Sequence, residues 1–353
     1  MSARFKLAIL GGGQLARMLA LAAAPLGVRT KCYDPSPNAC AGDVCSLTVG
    51  TWDDADAIRS FADDADAVTY EFESVRLSAA EAAASVAPLR PGIEPLRVSQ
   101  ERLLEKQFFT ACEIPTPAYA PIDSRDDAAR ALEAVGAQAV IKTRRDGYDG
   151  KGQRVVASKD DAVAAWDELG RVPMIAEAFV EFRRELSVVA VRSEAGDVRT
   201  WPLCENTHEA GMLRRTVAPA TATGEQHRLA LSFAQRLLSK LEYGGVLTLE
   251  LFETASGDLL ANEFAPRVHN SGHWTIEAAK TSQFANHVRA VLGMPLGSCD
   301  MMMPGARAEM VNVIGDAVPA ADLLADGWSV HDYTKEPRPG RKVGHATRLV
   351  IGG

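Results

Sequence analysis

The stretch Leu247–Trp274, LTLELFETASGDLLANEFAPRVHNSGHW, constrains the fold more than any other part of the sequence. An apolar run carrying Glu250 leads to a Gly-Asp turn, and a second run ends at Asn262-Glu263. This pattern predicts a β-hairpin that holds Glu250 and Glu263 side by side. Because neighbouring carboxylates repel each other in a core, either the hairpin is exposed or a divalent cation binds both acids. Oxygen ligands favour Mg²⁺, which a nucleotide commonly carries.

Composition narrows the classes of function. The 353 residues allow two or three domains, and 47% hydrophobic and 24% charged residues are typical of a soluble globular protein. A net charge of -8 argues against nucleic acid as a partner but permits a local basic pocket for a small anion. Six cysteines without CxxC spacing predict a reducing, cytoplasmic location. The N-terminus is too short in apolar residues for a secretory signal, and no run is long enough to predict a membrane partner.

The N-terminus predicts a βα unit with a glycine-rich turn. A strand over Phe5–Leu10 leads to Gly11-Gly12-Gly13 and then to a helix. Gly11, Gly13 and Ala16 fit the loose G-x-G-x-x-A pattern, and Asp34 follows at the distance of a ribose-binding acid. A nicotinamide-binding domain is therefore one hypothesis. The same turn can equally hold another phosphate or none.

Acidic residues follow a further predicted strand, Ala67–Tyr70. Glu71 and Glu73 come directly after it, at the carboxyl end where open α/β sheets bind ligands. The alternative is that they cap or solvate the next helix, and for Glu71 we favour this interpretation. An amphipathic helix over Val98–Cys112 is predicted to close the first domain, before a proline-rich linker.

A second glycine-rich turn lies between two predicted antiparallel strands, Ala139–Lys142 and Arg154–Ala157. The turn, TRRDGYDGKGQ, contains three glycines and several cations, which suits phosphate binding. Its spacing is not that of a Walker A loop. A flexible lid over a nucleotide is favoured over a merely mobile hairpin. The strand Met174–Ala178 could then pair with adenine, and Glu185 could reach the ribose, although Glu185 could also lie on a half-exposed strand.

A basic loop precedes the C-terminal strand. Lys335, Arg338, Arg341 and Lys342 lie in a segment pinned by prolines and glycines. In a net acidic chain, this suggests a pocket for a phosphate monoester, although these residues alone favour the alternative, a solvated loop.

These motifs occur in an order that resembles the ATP-grasp superfamily, whose two lobes close on Mg-ATP. More narrowly, GGGQLARM, YEFE, GYDGKGQ, NEFAPRVHNSGHWT and KEPRPGRKVGH are similar to the N5-carboxyaminoimidazole ribonucleotide synthetase family of purine biosynthesis. The resemblance implies a mixed α/β and α+β protein with the ATP-grasp fold. It would have a Rossmann-like, biotin-carboxylase-type parallel sheet domain (1–112), a small lid domain (113–182) and a C-terminal α+β catalytic domain (183–353).

The resemblance also implies the site residues. ATP would be bound by Arg102, Lys142, Gly147, Tyr148, Asp149, Gly150, Lys151, Gly152, Gln153, Glu177, Ala178, Phe179, Val180, Glu185, His208, Asn262 and Glu263. The acceptor ribonucleotide would be bound by Glu73, Tyr148, Asp149, Arg267, His269, Asn270, Lys335, Arg338, Arg341 and Lys342. Mg²⁺ would be held by Glu250 and Glu263, and catalysis would involve Arg267, His269, Asp149, Lys142 and Lys151.

The implied reaction is the carboxylation of aminoimidazole ribonucleotide with ATP and bicarbonate through carboxyphosphate, in a cytoplasmic homodimer whose other partners are small molecules. Arg267 would hold bicarbonate, and either His269 or Asp149 would accept the amine proton. Two alternatives remain. One is another ATP-grasp ligase or a formyl transferase that acts on a different ribonucleotide amine, and the remote one is an NAD-dependent dehydrogenase.

Overall fold

Three β-sheets organise the chain. The computed structural model describes residues 5–147, 150–315 and 320–351, so Tyr148 and Asp149 lie outside the described residues. The strands of the three sheets fall within residues 6–70, 119–178 and 182–351. The division into domains 1–112, 113–182 and 183–353 stays a prediction. Within the described ranges, no helix combines the length and apolar character needed to cross a membrane.

The N-terminal sheet is parallel, as predicted. Its strands, in the spatial order β3-β2-β1-β4, are β1 (Lys6–Leu10), β2 (Arg29–Asp34), β3 (Ser46–Val49) and β4 (Ala67–Tyr70). The accompanying helices are α1 (Gln14–Ala23), α2 (Ala55–Ala62) and α3 (Leu77–Ala84), with short 3₁₀ turns at Ala24–Leu26 and Cys40–Asp43. Strand β1 is buried from Leu7 to Leu10. This burial explains its unbroken apolar run, which a strand covered on both faces requires.

The predicted helix Val98–Cys112 is wrong in its start, because the chain forms two helices there. These are α4 (Ile93–Ser99) and α5 (Arg102–Ala111). Between them Glu101 is extended, and its carboxylate accepts a hydrogen bond from the Leu104 amide at 2.7 Å. This N-cap satisfies an amide that would otherwise lack a partner at the start of α5, so the helix begins again one residue later.

The second sheet is small and antiparallel. Its elements in chain order are β5 (Tyr119–Ile122), α6 (Arg125–Val135), β6 (Ala139–Thr143), β7 (Gln153–Val156), α7 (Lys159–Glu168) and β8 (Met174–Ala178). The strands lie in the order β5-β8-β6-β7, and α6 and α7 share their hydrophobic core. Ser124 and Ser158 cap these helices by accepting bonds from the amides three residues later.

Within the described residues, the third sheet contains nine strands. The elements are β9 (Phe182–Arg192), β10 (Val198–Thr200), β11 (Cys204–Glu209), β12 (Met212–Ala218), α8 (Gly224–Lys240), β13 (Gly245–Thr254), β14 (Leu259–Ala265), α9 (Thr275–Ala278), α10 (Gln283–Val291), β15 (Ala306–Ile314), α11 (Ala320–Ala325), β16 (Ser329–Asp332) and β17 (Lys342–Ile351). The spatial order is β14-β13-β9-β11-β12-β15-β17-β16, and β10 pairs with β9. A 3₁₀ turn spans Asn270–Gly272.

The predicted hairpin forms from β13 and β14. Leu249 pairs with Phe264 and Leu251 pairs with Ala261, so one residue of β13 opposes two residues of β14. This bulge brings Glu250 opposite Asn262-Glu263. Leu249 and Leu251 are buried in the core that includes α8. Because side chains alternate along a strand, Glu250 points to the other face of the sheet.

Candidate active site

A cleft of about 1020 Å³ lies between the three sheets. One border is the small antiparallel sheet β5-β8-β6-β7, called the lid sheet from here on. The other borders are the β13–β14 hairpin, the residues after β4 and the start of β17. The predicted site residues that line it are Glu73, Arg102, Lys142, Gly147, Gly150, Lys151, Gln153, Glu177, Ala178, Phe179, Val180, Glu185, His208, Glu250, Asn262, Glu263, Arg267, His269, Asn270 and Lys342. The fold thus brings together residues that are far apart in the sequence, from Glu73 to Lys342.

Two neighbouring carboxylates face this cleft from the hairpin. Burial and the charge of Glu263 raise the pKa of Glu250 to about 8. For Glu263, burial raises the pKa, but the charges of Arg102 and Lys142 outweigh it and the pKa is lowered. The side-chain oxygen Oδ1 of Asn262 lies buried beside them without a hydrogen-bond partner. This set of oxygen donors fits Mg²⁺, which would relieve the repulsion between the two acids.

Glu185 and His208 adjoin the carboxylate pair. One ligand atom from each of Glu185, His208 and Glu250 lies within 4.8 Å of the others. His208 Nδ1 is 2.9 Å from Glu185 Oε2, although the two groups are not aligned as a hydrogen bond. Burial lowers the pKa of His208, but contact with Glu185 outweighs this and raises it. His208 is therefore paired with an acid in the cleft.

Cations from helix α5 and from strand β6 of the lid sheet lie close to the acids of the cleft. Lys142 Nζ lies 3.0 Å from Glu177 Oε2, and Lys106 Nζ lies 3.2 Å from the same oxygen. Burial raises the pKa of Glu177, yet the charges of Lys142 and Lys106 outweigh it and bring the pKa to about 2. Arg102 Nη2 donates to the Gly147 carbonyl at 3.2 Å, which connects α5 to the lid. The site list from the sequence missed Lys106, although its position one turn after Arg102 was a usable signal.

A second polar cluster continues the cleft beyond Glu250. Arg267 Nε donates to Glu73, and His269 Nε2 lies 3.3 Å from Glu250 Oε1. Burial and the nearby Arg267 charge lower the pKa of His269 well below its usual range, so this imidazole is neutral at pH 7. Its Nδ1 is 2.9 Å from Ser271 Oγ.

Asn270 also lines this part of the cleft, but its amide is engaged within the protein. Asn270 Nδ2 donates to Asn312 Oδ1 at 3.0 Å, and Asn312 Nδ2 donates back to Asn270 Oδ1 at 2.8 Å. The side chain is therefore held by β15, and a ligand would have to compete with Asn312 for it.

The N-terminal glycine turn is filled by the protein's own carboxylates. Glu71 accepts hydrogen bonds from the Gly13 amide and, at 2.8 Å, from the Ala16 amide. Asp34 accepts from the Gly12 amide at 2.8 Å. Glu71 therefore caps α1 and not the following helix, which corrects the interpretation favoured from the sequence. Because these amides already donate to carboxylates of the protein, they are not available to the pyrophosphate of a dinucleotide. This argues against the nicotinamide-binding hypothesis.

The basic loop is only partly joined to the cleft. Lys335 Nζ donates to Gln14 Oε1 beside the N-terminal turn, and Lys342 lines the cleft itself. Arg341 Nη1 donates to the Glu336 carbonyl at 2.9 Å, and Arg338 is exposed. Among the described residues of the predicted site, Gly152, Lys335, Arg338 and Arg341 do not line the cleft. The predicted contacts of Tyr148 and Asp149 fall outside the described residues.

Comparisons with known proteins agree with this architecture. A family model described as an ATP-grasp domain matches residues 107–284. A ribonucleotide synthetase preATP-grasp domain matches residues 5–100, and a phosphoribosylaminoimidazole carboxylase C-terminal domain matches residues 308–350. Together with the antiparallel lid sheet, the large sheet and the cleft between them, these matches define the chain as an ATP-grasp protein.

The full-length relatives are more specific. N5-carboxyaminoimidazole ribonucleotide synthase of Pseudomonas aeruginosa is 46% identical over 97% of this chain and 94% of its own length. The crystal structure of the synthetase from Thermus thermophilus has a TM-score of 0.93 at 47% identity, over 98% of this chain and 94% of that chain. The synthase from Aspergillus clavatus, in complex with ADP and 5-aminoimidazole ribonucleotide, has a TM-score of 0.90 at 29% identity, over 99% and 95% of the two chains. This chain belongs to the N5-carboxyaminoimidazole ribonucleotide synthase family.

Proposed function

We propose that this protein uses ATP and bicarbonate to carboxylate 5-aminoimidazole ribonucleotide to N5-carboxyaminoimidazole ribonucleotide, releasing ADP and phosphate. The observation that carries the proposal is the 3.3 Å contact between His269 Nε2 and Glu250 Oε1. It joins the carboxylates opposite the lid to the Arg267–Glu73 cluster, so that two reacting ligands can meet in one cleft. The family membership of the chain supports the same activity.

The nucleotide would lie between the lid and the hairpin. Arg102 contacts Glu263 of β14 at 3.0 Å, and Lys142 and Lys151 line the cleft from the lid. These cations would neutralise charge on the transferred phosphoryl group, where positioning and electrostatics provide most of the catalysis. Glu250 and Glu263 would hold Mg²⁺, which when bound supplies further charge neutralisation at the phosphates.

The acceptor and bicarbonate would lie on the other side of Glu250. Arg267, held in place by Glu73, offers a guanidinium that suits a planar anion such as bicarbonate. A bicarbonate oxygen attacks the γ-phosphate, and the resulting carboxyphosphate transfers its carboxyl group to the exocyclic amine with loss of phosphate. The amine must also lose a proton. Burial lowers the pKa of His269, so its neutral ring can accept a hydrogen bond from the amine, and either His269 or Asp149 would take the proton.

Water must be kept from this cleft during turnover. Carboxyphosphate, and CO₂ released from it, would be lost to water before capture by the amine. A lid that closes over the nucleotide therefore serves the chemistry directly. The bond from Arg102 to the Gly147 carbonyl at 3.2 Å gives the lid loop an attachment to the nucleotide side of the cleft.

Other assignments belong to the same proposal. We propose the ATP, acceptor and metal residues named from the sequence, with Lys335 reaching the acceptor phosphate beside Gln14. The three domain boundaries, a homodimeric assembly and a cytoplasmic location are likewise proposed from the family resemblance. Light scattering during size-exclusion chromatography would test the assembly, since a monomer would contradict it.

Steady-state assays of ADP release test the proposed activity. We expect ADP release to require both bicarbonate and 5-aminoimidazole ribonucleotide, and we expect ¹³C from labelled bicarbonate to appear in the product. Formate in place of bicarbonate, and other ribonucleotide amines in place of the acceptor, provide the controls. If ADP release is indifferent to aminoimidazole ribonucleotide, or depends on formate, the proposed function is wrong and another ATP-grasp ligase activity takes its place.

A further inference from the structure

One turn of helix α5 contacts three consecutive residues of strand β14, which carries Glu263. Lys106 Nζ donates to the Asn262 carbonyl at 2.6 Å, and Arg102 Nη1 lies 3.0 Å from Glu263 Oε2. The Phe264 amide donates to Glu105 Oε1 at 2.7 Å. Residues at spacings of three and four project from neighbouring turns of a helix, so α5 can hold this stretch of strand in register. The backbone beside Glu263 is therefore set by α5 as well as by β13.

Lys106 has a second contact, in the lid sheet. Its Nζ lies 3.2 Å from Glu177 Oε2 in β8, and Lys142 Nζ lies 3.0 Å from the same oxygen. The side chains of Lys106 and Glu177 are only 1% and 3% exposed. Among the residues that the structure describes, Arg102, Glu105, Lys142 and Glu177 line the cleft, but Lys106 does not. Lys106 thus connects strand β14 to the lid from behind the cleft.

The charges in this cluster determine how well Lys142 can bind a phosphate. With Lys106 present, two lysines share the single carboxylate of Glu177, and the three groups carry a net positive charge. Without Lys106, Lys142 would balance more of the Glu177 charge, with Arg102 contributing from farther away. At low dielectric an ion pair at about 3 Å is a strong competitor for Lys142, so its attraction for a nucleotide phosphate would fall. The Asn262 carbonyl would lose its donor at the same time.

We propose that Lys106 is a positioning residue for the nucleotide, which keeps Lys142 available to phosphate by sharing Glu177 and holds β14 beside the lid. This inference rests on the proposed function, because it assumes that Lys142 binds ATP. It assigns Lys106 no contact with substrate. The residue acts through Glu177 and Asn262.

The test compares Lys106→Met with the double variant Lys106→Met/Glu177→Gln. Methionine keeps the apolar stem and removes the charge. We expect the KM for ATP to rise about 30-fold in Lys106→Met, because losing one member of a buried charge pair costs about 2 kcal/mol. The KM for aminoimidazole ribonucleotide should change little. Lys159→Met, on the exposed start of α7, is the matched control and should behave as wild type.

The double variant separates this mechanism from a general packing role. Once Glu177 is uncharged, Lys106 has no charge to share, so adding Lys106→Met to Glu177→Gln should raise the ATP KM far less than the same change does in the wild type. A purely structural role predicts the same rise of about 30-fold in both backgrounds, and that result would overturn the inference. A wild-type KM for ATP in Lys106→Met would also overturn it.

Two further measurements keep the test decisive. If Lys106→Met does not fold, the comparison becomes Glu177→Gln against the double variant. These two should differ by less than about threefold in ATP KM, since removal of Lys106 acts through the Glu177 charge. A larger additional loss in the double variant would contradict the inference. If ADP release by the wild-type protein does not depend on the acceptor, that result counts against the proposed function and not against the role of Lys106. Calorimetric binding of Mg-ADP to each variant tests the role of Lys106 without the acceptor.

Discussion

Carboxylates lie near a glycine-rich loop in two regions of the molecule, and the two arrangements differ. At the N-terminal turn, Glu71 and Asp34 accept hydrogen bonds from the amides of Gly12, Gly13 and Ala16. In the cleft, Glu250 and Glu263 face the lid loop across a space of about 1020 Å³, and their contacts are His269 and Arg102. The first set is satisfied by backbone groups of the same domain. The second set combines like charges beside an open space.

This difference distinguishes carboxylates with a structural role from carboxylates that are available to a ligand. A glycine turn at the start of a helix is a ready site for an anion, and a carboxylate of the chain can be that anion. A Cβ atom added at Gly13 would lie 2.5 Å from Glu71 Oε1, so glycine is needed there to admit the protein's own side chain. In the cleft, by contrast, burial and the charge of Glu263 raise the pKa of Glu250 to about 8, so a bound cation would stabilise the ionised pair.

The largest expected effect is a loss of turnover in the Glu263→Gln variant. Removing one of the two carboxylates proposed to bind Mg²⁺ should lower kcat by about 10³-fold, or roughly 4 kcal/mol of transition-state stabilisation. Stability should change little, because glutamine keeps an oxygen for Arg102 and the variant also removes repulsion from Glu250. Assays of ADP release across a Mg²⁺ titration, with thermal unfolding in parallel, measure both quantities.

Asp258→Asn is the control for that variant, because Asp258 is exposed in the turn of the same hairpin. It should keep wild-type turnover. Wild-type turnover in Glu263→Gln itself would refute the metal role and would make the two carboxylate regions alike.

A smaller effect, a loss of stability, is expected in the Glu71→Gln variant. Glutamine presents one carbonyl oxygen, so either the Gly13 or the Ala16 amide would lose its acceptor inside the protein. An unsatisfied buried donor costs about 1–3 kcal/mol. Urea unfolding should show a lower midpoint, whereas exposed Glu81→Gln should not. Loss of turnover without loss of stability would contradict the structural role given to Glu71.

The last prediction concerns NADH, for which we expect no binding in a fluorescence titration. Because the amides of the N-terminal turn are occupied by Glu71 and Asp34, we expect no saturable change in NADH fluorescence. Mg-ADP should bind the same preparation. Saturable NADH binding would show that a dinucleotide can displace these carboxylates, and the contrast between the two regions would fail.

Local structure followed closely from local pattern. Strands β4 and β8 form at Ala67–Tyr70 and Met174–Ala178, as predicted, since each is a short and mostly apolar run that follows a polar or proline-containing segment. The break between α4 and α5 was missed because the capping carboxylate of Glu101 is itself part of a helix-like pattern. Chain order and motif spacing were likewise enough for the resemblance to the ATP-grasp superfamily, which the family models confirm.

The sequence by itself determined the elements, the hairpin with its paired acids and the residue types available for phosphate chemistry. The tertiary structure decided which of these groups meet. It placed Glu71, 55 residues after Ala16, in the turn that the sequence offered to a dinucleotide. It also placed Lys106, 156 residues before Asn262, behind the strand that carries Glu263. Hydrogen bonds and charge pairs act over about 3 Å whatever the separation in sequence. Only folding therefore shows which carboxylates are already satisfied and which still face the cleft.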